Sequence, residues 1–148
     1  MTNVEGGAAQ RIVVGFDGSE PSMEAMRWAA RYAELTGSGL EVVMTWEWPT
    51  NYGWTLPLPA DYDPAADAQE VLAKAVEILR EPHPRLDVNW KVIEGHPAPT
   101  LVEQSRGADL LVVGSRGHGE FAGMLLGSVS EHCVAHAHCP VLVVRNGN

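Results

Sequence analysis

Short apolar runs recur along this chain, and most of the intervals between them are long enough to hold a helix. Ile12 to Phe16, Leu110 to Val113 and Val141 to Val144 are close to continuous, the pattern of parallel strands covered on both faces. Leu40 to Trp46 reads as another strand. Asp87 to Glu94 alternates instead, with Val88, Trp90 and Val92 on one side and Asn89 and Lys91 on the other, which suits an edge. A strand–helix repeat of this kind calls for right-handed crossovers and a doubly wound α/β fold. The expectation is a five-stranded parallel sheet, strand order 3-2-1-4-5, with helices on both faces.

The helices have legible boundaries. Ser19 is placed to cap the first, with Glu20 and Pro21 in its opening turn. Met23, Met26, Ala30 and Ala33 then share a face, and Gly37-Ser38-Gly39 stops it. A second helix is expected from about Ala65 to Arg80 with Val71, Ala75, Ile78 and Leu79 inward. A short third runs around Ala98 to Arg106, and a fourth from about Val129 to Ala137. Residues 47 to 63 break the rhythm with prolines, glycines, Trp48, Tyr52, Trp54 and Tyr62, an irregular insertion of the kind that is often functional.

Size and charge narrow the function. The chain has 148 residues, enough for one domain with its own core. We read residues 1–10 as a flexible tail and 11–145 as a single domain. A net charge of −9 speaks against a general nucleic-acid binder, which needs a basic face to displace counterions, and against an anionic membrane surface. No run has the length of a transmembrane helix, and the N-terminus lacks the basic start and apolar stretch of a signal peptide. Two cysteines, Cys133 and Cys139, make no disulfide framework. A cytoplasmic protein is expected.

The strongest local signal is a glycine-rich segment after the fourth strand: Gly114-Ser115-Arg116-Gly117, nine residues, then Gly127-Ser128-Val129-Ser130. Ser128 and Glu131 fit the Ser-x-x-Glu capping box, so a helix can start there. A strand leading through glycines to a helix N-terminus offers backbone N–H groups and a favourable dipole to an anion. In the expected strand order, the sheet changes direction between strands 1 and 4, and ligands lie outside the carboxyl ends of the strands at such a point. Asp17 ends strand 1 and Gly114 ends strand 4. The two motifs are therefore expected to meet across one crevice.

Gly-x-x-Gly, nine residues, Gly-Ser resembles the nucleotide-binding signature of the universal stress protein family, in its ATP-binding branch. The likeness extends to Val13-Val14-Gly15-Phe16-Asp17-Gly18-Ser19 and to Cys139-Pro140-Val141-Leu142-Val143-Val144, and so covers roughly residues 11 to 145. It implies an adenine nucleotide, ATP as its Mg2+ complex. Gly114, flanked by Val113 and Ser115, would lie close to the ribose. Gly117, Gly127 and Val129 would offer N–H groups to phosphates, and Ser128 and Ser130 hydroxyls. Asp17 would accept hydrogen bonds from the ribose or adenine side, beside Phe16. Thr45 stands where relatives flank the base, more usually with an apolar residue. Arg116 and His118 lie inside the loop, as phosphate contacts or as solvated charges. The resemblance also implies a homodimer through Val141 to Val144, which would cover an apolar edge strand.

Other readings fit less well. His132 and His136 have the i,i+4 spacing of a metal pair, but nothing resembles paired Cys-x-x-Cys ligands. His136 and His138 more simply complement the end of a helix dipole, so no metal site is expected. No P-loop is present and no lysine stands at the phosphate loop, so a slow ATPase or phosphotransferase is the lesser alternative to a regulatory binding module. A nucleotide-free interaction module is a further alternative. A response-regulator switch wants clustered acids after strand 1, where Asp17 stands alone. A dinucleotide-binding unit wants its glycines in the first βα turn.

Overall fold

Ile12 and Val14 face one side of the first strand and Val13 the other, and all three are buried. That strand must therefore be covered twice. The computed structural model describes residues 10–48, 59–116 and 126–145. In chain order these form β1 (Arg11–Gly15), α1 (Glu20–Thr36), β2 (Gly39–Trp46), α2 (Pro64–Arg80), β3 (Val88–Glu94), α3 (Pro97–Gln104), β4 (Leu110–Gly114), α4 (Ser128–His136) and β5 (Val141–Val144). All strand pairings are parallel, and the order is β3-β2-β1-β4-β5, the expected one. Ile12 sits in register with Leu40 on one flank and Leu110 on the other.

The two faces have separate cores. On one, α1 and α2 cover Ile12, Val14, Leu40, Val42 and Val112. On the other, α3 and α4 cover Val13, Val43, Leu111 and Val113, with Leu101 and Cys133 from the helices. Burial pushes the Cys133 thiol up to about 11, so it is a neutral packing group.

The ends of α1 follow from local chemistry. The Ser19 side chain accepts from the Ser22 N–H, a proline occupies the first turn, and Gly37 closes the helix at φ 70°, a left-handed position that glycine takes without steric cost. Two expectations need correction. In α2 the inward residues are Ala68, Leu72, Ala75, Val76 and Leu79; Val71 and Ile78 are exposed. The apolar positions of this helix span more arc than its neighbours cover, so one margin of the stripe stays in solvent. The capping box at Ser128 does not form: Gly127 is the N-cap, without a side-chain cap bond, and Ser128 is the first residue of α4. Of the irregular insertion, residues 49–58, with Tyr52 and Trp54, lie outside the described residues; Trp48 packs between Trp46 and Tyr62.

Candidate functional site

The carboxyl ends of β1 and β4 lie side by side, and a cleft opens there on the α3/α4 side of the sheet. Period-two alternation explains its walls. Gly15 follows Val13 by two and Thr45 follows Val43 by two, so each pair shares a face of its strand. Gly15, Val43, Thr45 and Val113 line the cleft, with Pro97 and Leu101 from α3 opposite. It holds about 580 Å³ of atom-free space, open mouth included.

Gly15 and Gly114 are glycines for steric reasons. A Cβ on Gly15 would lie 2.7 Å from a methyl carbon of Leu101. One on Gly114 would lie 3.0 Å from the Pro21 carbonyl oxygen and 3.3 Å from that of Arg116. The loop after β4 therefore passes close to the start of α1.

Asp17 joins the cleft from the turn after β1. Its carboxylate accepts from the Ser19 N–H at 2.9 Å and from the Ser19 hydroxyl at 2.5 Å. Its own N–H donates to the Ser22 hydroxyl at 3.2 Å, and that hydroxyl donates to the Ser19 carbonyl at 2.9 Å. The acid is thus fixed by the cap of α1.

The other wall is the start of α4. Ser115 is buried: its N–H donates to the Val144 carbonyl, and its carbonyl accepts from the Gly127 N–H at 2.6 Å and from the Ser130 hydroxyl at 3.0 Å. Both ends of the glycine segment are thereby tied together, although residues 117–125 between them lie outside the described residues. Two of the expected phosphate contacts have protein partners here: the Gly127 N–H donates to the Ser115 carbonyl, and the Ser130 hydroxyl lies 3.0 Å from the carbonyls of Ser115 and Gly127. The amides of Val129 and Ser130, in the first turn of α4, have no intrahelical acceptor, and both residues line the cleft.

Nine of the expected site residues therefore surround one cleft: Phe16, Asp17 and Thr45 on one flank, and Val113, Gly114, Arg116, Gly127, Val129 and Ser130 on the other. Ser115 supports the wall from behind, and Ser128 is exposed outside the lining. Gly117 and His118 fall outside the described residues. Motif reasoning missed Gly15, Ser22, Val43, Pro97 and Leu101. Strand alternation would have found Val43 from Thr45 and Gly15 from Val13; nothing local marks Pro97 or Leu101, which arrive from α3 through the fold. Among the described residues, no helix is long and apolar enough to cross a membrane.

Residues 8–145 match the sequence model of the universal stress protein family. Universal stress protein Rv2623 of Mycobacterium tuberculosis is 37% identical over 149 residues, which cover 95% of this chain and 49% of that protein. The chain spans about half the length of the curated relatives it matches. Among solved structures, a universal stress protein in complex with cAMP is 29% identical, with a TM-score of 0.68 over 93% of this chain and 98% of the other. Protein Rv1636 of Mycobacterium tuberculosis is 33% identical, with a TM-score of 0.55 over 95% and 98%.

Proposed function

Because this chain belongs to the universal stress protein family, we propose that it is a cytoplasmic, nucleotide-dependent binding module whose cleft holds ATP as its Mg2+ complex. The observation that supports this most is the meeting of two motifs at the sheet's switch point. Asp17 and Gly114, far apart in sequence, line the same cleft, where open α/β sheets take their ligands. The universal stress protein solved with cAMP carries a ligand with the same adenosine and phosphate chemistry.

The base enters between Val43, Thr45, Pro97 and Leu101, an apolar slot with one hydroxyl. Asp17, held by Ser19, accepts from the ribose. Phosphates meet the amides of Val129 and Ser130, the α4 dipole and Arg116, with Gly117 and His118 as further contacts. Asp17 is the one acid among the described residues of this lining, so Mg2+ would ride on the phosphates and offset the repulsion of an acidic chain. Among the described lining residues no second carboxylate stands ready to activate water, which favours a binding role over hydrolysis.

Nucleotide extracted from the purified protein should be adenylate. Added ATP and MgCl2 should raise the melting temperature; at a hundred times its Kd a ligand stabilises by about 2.7 kcal/mol. Ser128→Asp sets a carboxylate in the first turn of α4, where the helix dipole tolerates it, but beside the phosphates. It should leave the ligand-free protein folded and weaken ATP at least tenfold, roughly 1.4 kcal/mol. Equal ATP affinity in that variant would remove the phosphates from this helix end.

A further inference from the structure

We propose that α4 carries a second ligand site, in which His132 and His136 chelate one first-row transition-metal ion, Cu2+ ahead of Ni2+ or Zn2+. The two residues stand one turn apart on the same face of the helix. Their ring centres are 4.6 Å apart with planes inclined at 47°. Two imidazole nitrogens in neighbouring positions about 2.0 Å from one metal put their ring centres roughly 4.5–5 Å apart. The pair is spaced for chelation with no movement of the helix.

Both histidines are exposed, so water can reach the remaining coordination positions. Among the described residues, no group of three or more His, Cys, Asp or Glu could hold a metal ion. The protein thus supplies two nitrogens and solvent the rest, unlike a structural zinc site with four protein ligands. A partly aquated two-nitrogen set suits tetragonal Cu2+, which also stands above Ni2+ and Zn2+ in intrinsic affinity.

Complementing the helix dipole explains His136, in the last turn. It does not explain a second imidazole set 4.6 Å away on the preceding turn. A shared cation turns that proximity into an attraction, and a chain of net charge −9 draws cations toward it. The helix also stands to gain. It has nine residues, of which Ser130 and Cys133 are buried, and helices so short are marginal by themselves. A metal bridging adjacent turns would staple it. The site is separate from the cleft, which touches α4 at its first turn.

The test is titration of Cu2+ alone into the nucleotide-free full chain, followed by calorimetry and electron paramagnetic resonance. One ion should bind with splitting from two imidazole nitrogens and raise the melting temperature. His132→Asn or His136→Asn should each weaken that ion at least tenfold, and the double variant should abolish the thermal gain. His138→Asn, just beyond the helix, should change neither. Equal Cu2+ affinity in the double variant overturns the proposal. So does a wild-type spectrum without the two-nitrogen signature, which decides the matter even if a variant folds poorly.

Discussion

At the scale of single residues, Gly15 and Gly114 both lack side chains beside the cleft, yet substitution should affect them differently. A methyl at Gly114 meets backbone atoms of Pro21 and Arg116, which move only if the loop and the start of α1 move together. Gly114→Ala should therefore cost about 2–3 kcal/mol in urea unfolding, the upper range for overpacking. A methyl at Gly15 meets the far end of the Leu101 side chain, which can rotate. Gly15→Ala should cost about 1 kcal/mol while turning Leu101 into the cleft and reducing its room for a ligand. The reverse order of stabilities would show that the loop after β4 is the softer partner. The glycine and serine types were legible in the sequence, but their bonds were not. The Gly127 amide looked available until the fold brought the Ser115 carbonyl within 2.6 Å.

At the scale of elements, the start of α1 joins stability to the site. Ser19 both caps that helix and holds the Asp17 carboxylate. Ser19→Ala should lower stability by about 1 kcal/mol, the usual worth of a cap, and loosen Asp17 as well. Nucleotide affinity should fall more than with Ser19→Thr, which keeps the hydroxyl that caps the helix and donates to Asp17; equal affinities would mean that the cap does not position the acid. This cap was readable because Ser19, Glu20 and Pro21 all serve one local geometry. The capping box at Ser128 was equally well formed in sequence and did not appear, because Ser115 draws Gly127 into the cap position across the loop. The margin of α2 was unreadable for a related reason. Val71 and Ile78 are as apolar as Leu72 and Val76, and only the position of the neighbouring elements decides which go inside.

At the scale of the whole molecule, the doubly wound class followed from the alternation of strands and helices, since few topologies satisfy right-handed crossovers; the order itself did not, because 2-1-3-4-5 obeys the same rule. That order leaves β5 at an edge. The Leu111 N–H donates to the Pro140 carbonyl and the Ser115 N–H to the Val144 carbonyl, so even-numbered residues of β5 bond to β4. Val141 and Val143 turn their backbone groups to the open side. The homodimer that the family resemblance implies would use them. Val143→Pro removes an outward N–H, and edge strands accept proline; it should convert a dimer to a monomer in sedimentation with little loss of stability. A wild-type monomer, or a dimer that survives the substitution, would place the interface elsewhere. The pairing of Ile12 with Leu110 also bears on biosynthesis. Translation delivers β1 long before β4, so a nascent chain halted short of residue 110 has its central strand open on one flank and only half of the cleft. The nucleotide proposed for the cleft would then lack the wall assigned to its phosphates until synthesis has passed that point, which would make it a ligand of the completed fold more than a help to the emerging one.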